Sequence, residues 1–412
     1  MILAQNLLPR LSGSKYYLGL LLGLFLFACS PKVRKQTETK IPDQISTNEK
    51  PVEKPAAKFS QARIALLVPF HLSEVNLKTA TRTEVEKSAM AIDFYQGFKM
   101  GLDSASASGL NFALSVYDTK QNNVKLESLI KGGGLNAENL IVGPVFPEGL
   151  KYISAYSSAK KIPVVNPLSA SHPNEFRNPN LISVVNNIDL HIRKLGDFIS
   201  ENYSPQNTVV VLINPKDPDS EVMGNPVRNY FAANKKRFTF QEYSSVFTME
   251  MKLVKNKKYV IIVSSSDRKF IVPSLDKLIK LKNAGLLNLD LFGHPDWIKQ
   301  NYNTDKLQAL RTSVTASYKI DYSSNSVKEF IKKYRHSYHF EPGEYAFKGF
   351  DIGLYFGTLL AKHGSQYLQY LTKENYKGLH NRFSFVYDEK LGFINTSLML
   401  LRYENFSLNL VE

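Results

Sequence analysis

Residues 139–171 read NLIVGPVFPEGLKYISAYSSAKKIPVVNPLSAS. Residues 140–142 are a short apolar run, broken by Gly143-Pro144. From 149 to 161 the apolar residues Leu150, Ile153, Tyr156 and Ala159 recur at helical spacing. A second apolar run at 162–165 stops at Asn166-Pro167. The order is strand, loop, helix, strand, loop. Short apolar strands alternating with amphipathic helices imply a parallel sheet covered on both faces. Ligands of such sheets sit outside the carboxyl ends of the strands. The loops at 144–148 and 166–171 are therefore the first candidate binding elements.

The same alternation extends in both directions. Strands are predicted at 64–68 (IALLV), 112–117 and 181–185, and helices at 84–107, 123–130 and 189–203. The triple glycine at 132–134 lacks the Gly-Lys-Ser/Thr ending of a phosphate loop and reads as a turn. Asp118, ending its strand, is expected to cap the following loop. A second series then begins, with strands at 208–213 (TVVVLI), 238–246, 259–263 (YVIIV) and 289–292, and helices at 221–233 and 270–284. Residues 313–320 read as extended, and 327–338 and 344–363 as helices. From 382 the pattern alternates, with turns at 389–392 and 404–405, as in antiparallel strands. The fold class is α/β: two Rossmann-like lobes with parallel sheets joined by a hinge, closed by antiparallel C-terminal hairpins.

The amino terminus carries an address. Arg10 and Lys15 precede an uncharged run at 16–28 (YYLGLLLGLFLFA), too short to span a bilayer comfortably, and Cys29 follows. Leu26-Phe27-Ala28-Cys29 resembles a bacterial lipobox. That resemblance implies that residues 1–28 are a signal peptide and that Cys29 is diacylated. Cys29 is the only cysteine, so a lipid there leaves none for a disulfide or a thiolate metal site. Residues 29–61, with Pro31, Pro42, Pro51 and Pro55 and few large apolar side chains, read as a disordered tether. Ser30 leaves the choice between inner and outer membrane open.

From residue 62 to 412 the chain resembles the type I periplasmic binding proteins of the leucine and branched-chain amino-acid receptor group. The matching pieces occur in order: IALLVPF, DFYQGFKMGLD, LSVYDTKQN, the strand ending Gly143-Pro144, IPVVNPLSAS, EPGEYAFKGFDIGLYFGTLLAKHG and FSFVYDEKLGFINTSLMLL. The resemblance implies two lobes, about 62–185 with 317–380 and 186–316 with 381–412, and a ligand in the cleft between them. It also implies that a small polar, amino acid-like ligand is gripped by a hydroxyl after the fourth strand, at Ser169 or Ser171, beside Ala170. An acid of the second lobe would meet its ammonium group. Asp296 in Gly293-His294-Pro295-Asp296 fits best, with Asp217 and Asp267 as alternatives at other strand ends. Phe70, Phe146, Pro147 and Trp297 are the candidate cleft wall. One departure matters: where such receptors carry a hydroxyl for the carboxylate after the third strand, this chain has Val145-Phe146-Pro147.

The net charge is +15, but an export signal and the lack of a nucleic-acid motif argue against nucleic-acid binding. Neither HExxH nor Gly-x-Ser-x-Gly occurs, so no enzyme activity, metal or cofactor is expected. Two functions compete. One is a solute-binding lipoprotein of the cell envelope that serves an ABC permease or a sensor from the periplasmic side. The other is an envelope interaction module, such as a regulator of a peptidoglycan synthase.

Overall fold

Five parallel strands, Gln61–Val68 (β1), Asn111–Asp118 (β2), Leu140–Val142 (β3), Val164–Asn166 (β4) and Leu181–Ser183 (β5), build the first lobe. The computed structural model describes residues 59–411 apart from Leu77, residues 234–237 and Lys255. The signal peptide, Cys29 and the tether up to residue 58 lie outside the described residues; the tether read over 29–61 ends earlier than expected, because Phe59 packs on the first lobe's core and Gln61 opens β1. The connecting helices are Arg82–Ser106 (α1), Asn123–Lys131 (α2) and Pro147–Lys160 (α3). β1 is buried on both faces because helices cover both. Ile64, Leu66 and Val68 pack with α1, while Ala65 and Leu67 pack with Leu126, Leu150 and Ile153 of α2 and α3. Alternate side chains of one strand thus serve two core layers.

The second lobe repeats the arrangement. Its helices are Ile188–Asn202 (α4), Pro218–Ala233 (α5), Val246–Glu250 (α6), Arg268–Asn283 (α7) and Thr304–Ala309 (α8). Its strands are Thr208–Ile213 (β6), Thr239–Tyr243 (β7), Lys258–Val263 (β8), Asn288–Phe292 (β9) and Ser313–Ala316 (β10). Val210 and Leu212 of β6 face α4 and α5, and Val209, Val211 and Ile213 face α7. The predicted strand at 238–246 ends at Tyr243. Ser245 and Thr248 form a capping box there that opens α6 instead.

Asn325–Tyr338 (α9) and Glu344–His363 (α10) return to the first lobe. Four short strands follow: Tyr376–Lys377 (β11), Arg382–Phe383 (β12), Phe385–Asp388 (β13) and Gly392–Asn395 (β14). Met399–Glu404 (β15) and Ser407–Leu410 (β16) end the chain. The first sheet runs β13-β14-β5-β4-β3-β1-β2 and the second β16-β15-β10-β9-β8-β6-β7. β13 and β14 therefore belong to the first lobe, not to the second as the division at residue 381 had it. β14 lies parallel to β5, and the chain re-enters the second lobe only after Asn395.

The chain passes between the lobes at 184–187, 317–319 and 396–398. Asn395 ties the first and third of these passages together. Its Nδ2 donates to Val184 O (2.9 Å) and Arg382 O (3.0 Å), while its Oδ1 accepts from Ser384 N (3.0 Å) and Ser397 N (3.1 Å). Asn186 Nδ2 donates to Asn395 O at 2.7 Å. No helix among the described residues is long and apolar enough to cross a membrane.

Candidate functional site in the cleft between the lobes

The loop after β4 is held by one buried side chain. Asn166 Oδ1 accepts from Ser169 N (3.0 Å) and its Nδ2 donates to Ser169 O (2.8 Å). Ser169 Oγ then donates to Ser171 Oγ at 2.9 Å and accepts from Ser171 N at 3.2 Å. This sets Ala170, Ser171 and His172 along a cavity of about 510 Å³. The opposite wall is the turn after β9. His294 Nδ1 accepts from Asp296 N at 3.1 Å, and Asp296 Oδ1 takes the ammonium of Lys299 at 2.9 Å. The floor is the hinge: Asn186, His191, Thr315, Ser317 and Tyr318. Val185, Ile188, Val222 and Ile298 give the cavity an apolar side. Its size falls in the usual range for small-molecule sites, roughly 300–1,000 Å³.

Burial governs the charge states here. His191 bonds Thr315 Oγ1 through Nδ1 (2.8 Å) and Ser317 Oγ through Nε2 (3.2 Å). Burial drives its pKa down to about 3, with His294 and Lys299 adding to the effect and Asp296 opposing it. His294 is also held below its ordinary value by burial. Its Nδ1 accepts a backbone N–H, which requires that nitrogen to carry no proton. Burial alone would raise Asp296, but Lys299, His294 and His191 outweigh it and keep the carboxylate ionised.

Behind the floor, Tyr318 stacks on His380 with ring centroids 4.3 Å apart, and Lys348 Nζ lies 4.6 Å from the Tyr318 ring centre. Lys348 pairs with Glu344 at 2.6 Å. Burial pushes Glu344 up, but His380, 3.7 Å away, and Lys348 win and bring it to about 2. Among the described residues Asn186 Oδ1 is buried with no hydrogen-bond partner. Such a group costs about 1–3 kcal/mol unless something supplies one.

Of the residues singled out from sequence, Ala170, Ser171 and Asp296 meet at this cavity, with Ser169 one hydrogen bond behind. The others do not. Trp297 is fully buried in the second lobe, its Nε1 donating to Ser265 O at 2.9 Å, so it is core and not a stacking wall. Phe70 is buried edge-on to Tyr95, and Phe146 packs on the first lobe's core, followed by Pro147 in the first turn of α3. Asp217 accepts from Ser220 N (2.9 Å) at the start of α5, and Asp267 from Lys269 N (3.0 Å) at the start of α7. Both are helix-start acids off the cavity. Asp118 caps its loop as expected, accepting from Phe70, His71, Leu72 and Lys120 N–H groups.

Sequence reading missed His191, Asn186, Tyr318, His294 and Lys299. A signal existed for the first two: Asn186-Asn187 precedes a helix whose apolar face holds a histidine, and Asn187 is its cap, accepting from Leu190 N.

No protein-family model matches the chain, and no curated protein does. Solved structures do match. A putative branched-chain amino acid ABC transporter protein from Rhodospirillum rubrum superposes with a TM-score of 0.63 at 12% identity, over 85% of this chain and 100% of that one. An ABC transporter substrate-binding protein from Desulfitobacterium hafniense in complex with Leu gives 0.52 at 14%, with the same coverage. The C-domain of LpoA from Haemophilus influenzae, a regulator of PBP1A, gives 0.54 at 14%, again over 85% and 100%. At these identities the likeness is one of fold. The chain has the two-lobe type I periplasmic binding protein fold that its sequence resembles.

Proposed function

We propose that this protein is a lipid-anchored receptor of the bacterial cell envelope that binds a small polar ligand between its lobes, for transport or sensing. The observation that carries the reading is the cavity itself, lined at once by strand-end loops of both lobes and by the hinge. A ligand held there touches every part that moves when the lobes close. Three acids line the cavity, Glu175, Asp219 and Asp296, against the single ammonium of Lys299. Together with the Asn186 carbonyl and the neutral histidines, they favour a ligand rich in hydrogen-bond donors, such as an amine, over a simple carboxylate. Its apolar body would rest on Val185, Ile188, Val222 and Ile298. In a thermal-shift screen of the full-length protein, amino acids, their amides and small amines should include one that raises Tm saturably. Asp296→Ala and Ser171→Ala should each remove that response. A flat response across all classes would overturn the reading.

One observation favours the interaction module instead. The loop after β3 offers Phe146 to the core and no hydroxyl to the cleft. On that reading the protein recovers a cell-wall synthase in a pull-down, and recovery is unaffected by Asp296→Ala and Ser171→Ala.

A further inference from the structure

A second cavity, of about 550 Å³, lies at the hinge and shares no lining residue with the cleft. Its wall is built from the segments that follow β10 and β11, the start of α9, and Met399 and Leu410 of the second lobe. Three cations line it: Lys319, Lys377 and Arg382. Lys319 and Arg382 are half-buried, yet among the described residues none of the three side chains makes an ion pair or a hydrogen bond. The one acid on the wall, Asp321, spends its Oδ1 on Ser323 N (3.0 Å) and the Ser323 hydroxyl (2.5 Å). Asp321 acts on Lys319 only through space, without a direct ion pair, and a half-buried guanidinium and ammonium that make no hydrogen bond are costly. Elsewhere in this chain comparable cations are paired: Arg228 has Glu221 and Glu242, and Lys348 has Glu344.

We infer that this hinge cavity is an anion site that takes a phosphate group. A guanidinium offers a planar fork of donors to phosphate oxygens, and ammonium groups add point charge. The Ser324 and Ser326 hydroxyls on the same wall bond each other at 2.7 Å, which leaves one hydroxyl proton free to donate. The same phosphate chemistry has two sources in an envelope, free phosphate or pyrophosphate and the phosphodiester of a lipid or wall-polymer headgroup.

The site is wired to the cleft. Tyr318 and Lys319 are successive residues of an extended segment that bridges Asn381, so their side chains point to opposite faces. Tyr318 lines the cleft and Lys319 the hinge cavity. Lys319 N donates to His380 O at 3.0 Å, and His380 stacks on Tyr318. Because both lobes contribute to the wall, anion affinity depends on the angle between them. By linkage the anion then changes cleft affinity by the same factor that a cleft ligand changes anion affinity.

The test uses full-length protein in detergent at constant ionic strength. Inorganic phosphate and pyrophosphate form one arm, glycerophosphoglycerol the other, and chloride is the control. A saturable Tm rise is expected in at least one arm, with the stronger arm identifying the source. Lys319→Gln with Arg382→Gln should weaken the apparent Kd tenfold or more. Lys377→Gln, at an exposed position, should weaken it severalfold and serves if the double variant does not fold. Flat titrations in both arms, or a response that survives these substitutions, overturn the proposal. The cleft reading stands either way, since the two sites share no residue.

Discussion

Burial strips water from His191 and leaves its two ring nitrogens facing the hydroxyls of Thr315 and Ser317. Its folded pKa of about 3 lies below the unfolded value of 6.5, so the unfolded chain binds the extra proton first. The stability this contributes is complete above pH 6.5 and is lost as pH falls toward 3. His191→Gln keeps a hydrogen-bonding side chain but cannot titrate. Urea unfolding of this variant should show a shallower loss of stability between pH 6.5 and 3 than the parent. Identical slopes would mean that His191 is not held neutral in the fold. The same scale shows what sequence could and could not reveal. Ser171 and Asp296 were legible because position at a strand end is a local property. Trp297 was not, because nothing local says that its ring folds back over Gly293, where a Cβ would meet it at 2.2 Å. Nor does local sequence show that Asp351, fully buried in α10, accepts the N–H groups of Leu379, His380 and Asn381.

α1 and α10 cross at backbone distance. A Cβ on Gly97 would come within 1.9 Å of Ala346 O, and one on Gly101 within 2.4 Å of Phe350 O. From the other side, Gly349 faces Phe94 O at 2.2 Å and Gly353 faces Phe98 O at 2.3 Å. The obstacles are backbone atoms, which cannot swing aside as a side-chain tip can. Gly353→Ala must therefore push the helices apart, at a cost of about 1–3 kcal/mol or more. Thermal unfolding should show a lower Tm although alanine is the better helix former. An unchanged or raised Tm would mean that the helices are not in such contact. These glycines sit in DFYQGFKMGLD and GFDIGLYFG, the two helical segments that carried much of the sequence resemblance. Strands such as TVVVLI and YVIIV were equally plain, since burial on both faces demands continuous apolar runs. The C-terminal hairpins were harder. Alternation announces antiparallel pairing but not the sheet joined, and β14 enters the first sheet beside β5.

Two seven-stranded sheets with three passages between them make a molecule whose halves are joined by few covalent paths. The side chain of Asn395 satisfies four backbone groups around the first and third of these passages, so this part of the hinge is specified by a polar residue that no apolar pattern could disclose. The proposed membrane anchor also belongs to this scale. The +15 charge could attract the protein to anionic lipid, but such attraction is screened at high salt, where the Debye length falls to about 3 Å near 1 M. Acyl chains contribute about 0.8 kcal/mol per buried CH₂, and two hold firmly where one holds marginally. The two modes separate experimentally. Wild-type protein should stay with membranes through a wash of roughly 1 M salt. It should incorporate labelled fatty acid and begin at Cys29. Cys29→Ser should incorporate none and retain residues 1–28. Equal labelling of both forms, or release of the wild type by salt, would replace the lipid with charge as the force that holds the molecule.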